Sequence, residues 1–113
     1  MPRVPASRRP SAPSATEAMA RHAGDAATLL RALAHPARLL VLCRLVEGES
    51  SAGALQPLTG LSASALSQHL AVLRGLDLVT TRRVAQTIHY AITDGPARAV
   101  LDALHAAYCA DGH

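Results

Sequence analysis

Two thiols define the reactive chemistry open to this chain. Cys43 and Cys109 are the only cysteines among its 113 residues and stand 66 positions apart. A thiolate attacks the sulfane sulfur of a persulfide, and a second cysteine then resolves the Cys-S-SH product into a disulfide or a longer polysulfide bridge. A plain disulfide needs Cα atoms about 4.4–6.8 Å apart, whereas added sulfur atoms let more distant thiols join. Cys43 falls on the apolar face of an early helical pattern and Cys109 on the last one. The pair reads as a redox switch. Taken singly, Cys43 also fits a small buried apolar residue, and Cys109 an incidental terminal thiol. Neither cysteine has a convincing base or oxyanion donor set beside it, which argues against a thiol enzyme such as a sulfurtransferase.

A second group of residues has the chemistry of DNA contact. Ser62 is placed to cap a helix from about Ala63 to Arg74, closed by Gly75. At 100° per residue, Leu66, Leu70 and Leu73 form one stripe, while Ser64, Ser67, Gln68 and Ala71 form the opposite one. An exposed face made for solubility alone would recruit Glu, Lys or Arg. Gln68 offers a donor and an acceptor together to an adenine edge, and Ser64 and Ser67 bond bases or phosphates without crowding a groove. Arg74, Arg82 and Arg83 form the basic cluster that would approach the backbone, and Gln86 joins the set from the following connection. His69 lies between the stripes and suits either a neighbouring helix or a phosphate. Each residue also has a plainer reading, as solvated surface or as a charged strand edge that discourages aggregation.

These residues need elements to hold them. Residues 1–16 carry Pro2, Pro5, Pro10 and Pro13 with Arg3, Arg8 and Arg9, so a disordered tail is expected there and one domain over 17–113. The run from Glu17 to about Leu33 reads as a helix, loosened at Gly24. His35-Pro36 breaks it and starts a second, with Leu39, Leu42, Cys43 and Val46 facing inward. A short helix follows, capped within Ser50-Ser51 and ending about Pro57. Leu78–Arg83 and Thr87–Ile92, rich in β-branched residues, flank Val84-Ala85-Gln86 and form a hairpin. Gly95-Pro96 opens a last helix whose stripe of Ala97, Val100, Leu101, Leu104 and Tyr108 is too long for a small monomer to hide. The expected architecture is mainly α: a winged helix-turn-helix with a two-stranded wing, dimerising through its N- and C-terminal helices.

Composition narrows the alternatives. With no Phe and no Trp, and 50% apolar residues, the core must be built from Leu, Ala and Val, which favours packed helices. The net charge of +3 comes from the tail arginines; from residue 17 onward eight arginines meet eight acids. Nucleic-acid affinity must therefore come from local placement. No apolar run suits a membrane span or the core of a signal peptide, so a cytoplasmic protein is expected, where a cysteine pair is reactive or metal-binding rather than a permanent staple.

The segment Leu33-Ala-His-Pro-Ala-Arg-Leu-Leu-Val-Leu42, with Ser64-Ala-Leu-Ser-Gln-His-Leu-Ala-Val-Leu-Arg74 and Arg82-Arg83 through Tyr90, resembles the ArsR/SmtB repressors over roughly residues 25–110. The resemblance implies a dimeric repressor that binds an inverted repeat of double-stranded operator DNA and leaves it when an inducer binds. Many members sense metals through a Cys-x-Cys pair, or through Asp and His on the last helix. Here Cys43 stands alone in its helix, and Asp102 and His105, with His113 near the end, depart from the usual spacing, so no metal or other cofactor is expected. The setting of Cys43, with Cys109 after Tyr108, is similar to the sulfide- and persulfide-responsive branch of the family. That similarity implies that the reduced dimer represses, and that a persulfide or another reactive sulfur or oxygen species links Cys43 to Cys109 and releases DNA. The rival readings are a metal-responsive repressor or an anti-repressor on the same scaffold, and a dimerisation module that binds only protein.

Overall fold

His35 and Pro36 end one helix and begin the next, and the other elements gather around that second helix. A computed structural model describes residues 14–109. In chain order these form α1 (Ala15–Ala20), α2 (Ala23–Leu33), α3 (Pro36–Val46), β1 (Ser50–Ser51), α4 (Ala52–Thr59), α5 (Ala63–Gly75), β2 (Val79–Val84), β3 (Thr87–Ile92) and α6 (Pro96–Cys109). The helices pack around one core, with an antiparallel sheet in the order β1-β3-β2 at its edge. The wing therefore has three strands rather than the two expected. Ser50 and Ser51 lie opposite Tyr90 and His89 and extend the β2–β3 hairpin.

Each helix boundary has a local cause. His35 Nδ1 accepts the Ala37 N–H at 3.2 Å, and Pro36, which has no N–H to satisfy, fills the first position of α3. Hydroxyls of Ser51 and Ser62 accept the N–H groups of Ala54 at 3.2 Å and Ala65 at 3.1 Å, capping α4 and α5. Gly60, at φ +71°, ends α4 in the left-handed region, which only glycine enters without penalty. Pro57 does not end that helix, which runs on to Thr59.

At the N-terminal end the structure departs from expectation. Ser14 and Glu17 form a capping box, with the Ser14 hydroxyl accepting the Glu17 N–H at 3.1 Å and the Glu17 carboxylate accepting the Ser14 N–H at 2.8 Å. Helix thus begins at Ala15, inside the expected tail, whose residues 1–13 lie outside those described, as does His113. The expected single helix to Leu33 is two helices, parted at Arg21–His22 rather than loosened at Gly24.

Val41, Leu42 and Leu45 of α3, Leu55 of α4, Leu66, Leu70 and Leu73 of α5, Val79 of β2 and Leu101 of α6 make the buried core. Burying each such side chain contributes about 1.5–3 kcal/mol. Leu39, Cys43 and Val46 pack around its rim and are only half-buried, so the inward face of α3 centres on Leu42 and Leu45 rather than on Cys43. Among the described residues, no helix is long and apolar enough to cross a membrane.

Candidate functional site

Because Leu66, Leu70 and Leu73 anchor α5 in the core, its opposite side is committed to solvent. Ser64, Ser67, Gln68, Ala71 and Arg74 are all exposed along it, as their spacing predicts. Ser67, Ala71 and Arg74 also line a shallow trough of about 550 Å³ with Tyr90 of β3, so the reading helix and the wing present one continuous surface.

His69 does not belong to that surface. It is half-buried, with its ring centroid 4.2 Å from that of His35 at the start of α3. Burial holds the His69 imidazole below its ordinary pKa, and the charges of His35 and Arg38 push it the same way. Of the two roles open to His69 in the sequence, the structure places it against the neighbouring helix. His35 itself was missed as a helix cap and a ring partner; the His-Pro pair at a helix start was the available signal.

The wing arginines separate as well. Successive residues of β2 point to opposite faces, so Arg82 and Arg83 cannot share one contact. Arg82 lies opposite His89 on the central strand and reaches past it to Glu49, just before β1. Its Nε donates to Glu49 Oε2 at 3.2 Å and its Nη2 to Oε1, a two-pronged ion pair. This bond holds the Glu49 carboxyl below the usual carboxylate range and raises Arg82 further. Arg82 is thus not a free cation in this structure, contrary to expectation, whereas Arg83 and Gln86 are exposed at the outer end of the wing. Nothing in the local sequence of Glu49 announces a partner 33 positions away.

Cys43 and Cys109 lie on the adjoining helices α3 and α6. Cys43 opens into a cleft of about 260 Å³ between these helices, with Val46 and Leu101 as apolar wall and Glu47, Asp102 and His105 as polar lining. Burial pushes the Cys43 thiol above its ordinary pKa, and negative charge on Cys109 and then on Glu47 adds to the push. Cys109, half-buried at the last turn of α6, is therefore within electrostatic reach of Cys43, and both are free thiols. Among the described residues, no three His, Cys, Asp or Glu side chains come together as metal ligands.

Comparison with known proteins matches this geometry. The model of bacterial regulatory proteins of the arsR family matches residues 35–81. The biofilm growth-associated repressor of Xylella fastidiosa is 43% identical over 94 residues, 83% of this chain and 82% of that protein. The transcriptional activator HlyU of Vibrio cholerae is 43% identical over 98 residues, 87% of this chain and 91% of its own. In three dimensions, the transcriptional repressor BigR from Xylella fastidiosa superposes with a TM-score of 0.79 at 41% identity, covering 85% of this chain and 98% of that one. Reduced HlyU from Vibrio cholerae gives 0.77 at 43% identity, covering 82% and 98%. These relatives are regulators by name, not enzymes. A winged helix with an exposed reading face, matched along most of its length by such proteins, places this chain in the arsR family of DNA-binding bacterial transcription regulators.

Proposed function

We propose that the chain is a homodimeric repressor whose reduced form holds operator DNA and whose release follows the linking of Cys43 to Cys109. The observation that carries this reading is the packing of α6 on α3, which brings Cys43 and Cys109, 66 residues apart in sequence, onto adjoining helices with Cys109 near enough to oppose ionisation of Cys43. Cys43 attacks the outer sulfur of a persulfide R-S-SH, taking up that sulfur as Cys43-S-SH while R-S⁻ departs. Cys109 then displaces hydrosulfide, closing a disulfide; where a second persulfide first adds its outer sulfur to Cys43-S-SH, releasing another R-S⁻, the same displacement by Cys109 closes a bridge one sulfur longer. The two thiols are oxidised and the persulfide is reduced to thiol and sulfide.

Release follows from geometry. In a two-fold dimer the two α5 helices must match half-sites about 34–36 Å apart. A bridge fastens the end of α6 to α3, and α3 packs directly on α5. The dimer itself is supported by an apolar trough of about 720 Å³ bounded by α1, α2, the Gly75–Leu78 connection and α6, with Met19, Leu30 and Leu76 exposed along it. Ser64, Ser67, Gln68 and Arg74 take the DNA-facing role, with Arg83 and Gln86 on the wing, and the protein acts in the cytoplasm where its operator lies.

Titrating an organic persulfide into operator complexes of wild type, Cys43→Ser and Cys109→Ser tests the switch by gel shift. Wild type should let go while both variants hold. Release by both serine variants would exclude a thiol trigger. A reporter driven by the operator distinguishes repression from activation, a distinction relatives named both ways make necessary.

A further inference from the structure

We infer that Glu47 and Asp102 select, by charge, which electrophiles reach Cys43: uncharged or cationic sulfur compounds are admitted and polyanionic ones are turned away. The inference rests on Cys43 being the reacting thiol of the proposed switch, and it concerns the choice of inducer rather than the release of DNA.

Both carboxylates line the same cleft as the Cys43 sulfur, Glu47 from the end of α3 and Asp102 from α6. Both are exposed at the mouth of the cleft, and Glu47 adds to the burial and the Cys109 charge that oppose ionisation of Cys43. Neither is neutralised: among the described residues the one ion pair joins Arg82 to Glu49, and the one basic side chain lining the cleft is His105. The other walls, Val46 and Leu101, are apolar and provide no donor for an anion. A reagent must approach its line of attack past two negative charges at close range. At such separations one unit of reagent charge changes the rate on the order of tenfold, and added salt erodes the difference.

The test uses the full-length Cys109→Ser protein, in which Cys43 is the single thiol, and three small disulfides of similar size. These are bis(2-aminoethyl) disulfide, bis(2-hydroxyethyl) disulfide and bis(2-carboxyethyl) disulfide, carrying two positive charges, none and two negative charges. In each case the Cys43 thiolate forms a bond to one reagent sulfur, the reagent's S–S bond breaks, and its other half leaves as a thiolate. Mass spectrometry follows the mixed disulfide, and rates are divided by those of the same protein unfolded in urea. The expected order is cation, neutral, anion, with steps on the order of tenfold at low salt, narrowing at high salt. In the Glu47→Gln/Asp102→Asn variant the order should flatten. Equal normalised rates for the three reagents, or an order indifferent to salt in the wild-type lining, would overturn the inference whether or not the double variant folds. The two claims separate cleanly: charge selection without DNA release by persulfide refutes the switch alone, and release without charge selection refutes this inference alone.

Discussion

Arg82, on the outer strand of the wing, crosses the central strand and grips Glu49 with two hydrogen bonds. A carboxylate and a phosphate present the same paired oxygens to a guanidinium, so Glu49 would compete for Arg82 with any DNA phosphate that approached the wing. Replacing it with glutamine should tighten binding to operator and random DNA alike, by roughly two- to fivefold, since exposed ion pairs are weak competitors. The salt dependence of binding should steepen as another cation becomes available. Unchanged or weaker binding by Glu49→Gln would show that Arg82 serves the sheet alone.

Gln68 and Arg83 should fail differently. Gln68→Ala removes a group suited to a base edge and should cost about 1–3 kcal/mol on the operator, with little effect on random sequence. Arg83→Ala should weaken both equally and flatten the salt slope. Fluorescence anisotropy at several salt concentrations separates the outcomes, and a loss shared equally by both DNAs for Gln68→Ala would remove it from base readout.

The His35–His69 contact makes stability sensitive to acid. Folded His69 resists protonation because it is half-buried and faces His35 and Arg38, while in the unfolded chain it takes up its proton near its ordinary pKa of about 6.5. The unfolded state therefore binds more protons as pH falls below that value, and stability declines. Urea midpoints at pH 7.5 and 5.5 should drop less in His69→Gln than in wild type; identical drops would count against the contact.

Ala85, at the turn of the wing, has φ +56°, a conformation that tight hairpins reserve for glycine. Ala85→Gly should stabilise the protein by roughly 0.5–1 kcal/mol, read from the urea midpoint. A lower midpoint would mean that the turn gains more from the methyl group than the backbone loses.

What could be read in advance was whatever depends on neighbours in sequence. The reading helix was legible because Leu66, Leu70 and Leu73 recur at helical spacing behind a serine cap, and that spacing alone sends Ser64, Ser67 and Gln68 to the other side. The wing strands were legible from their β-branched content. Contacts between distant residues were not. Two serines carry no strand signal, so β1 could not be foreseen, and with it went the reach of Arg82 to Glu49. His69 left the DNA-facing set because His35, far away in the chain, offered a ring to pack against. The depth of Cys43 was overestimated for a related reason: several apolar residues share the inner half of α3, and only the neighbouring helices decide which lie at its centre.

The position of α3 bears on how such a protein changes its signal. One end of this eleven-residue rod, about 16 Å long, meets the reading helix through His35; the other supplies Cys43 and Glu47 and leads straight into Glu49. In the proposed switch, detector and reader are thus mounted on a common axle without sharing a side chain. On that proposal, exchanging the residues at one end for a different trigger would leave the sequence-reading surface intact and open the scaffold to new inducers without new operators.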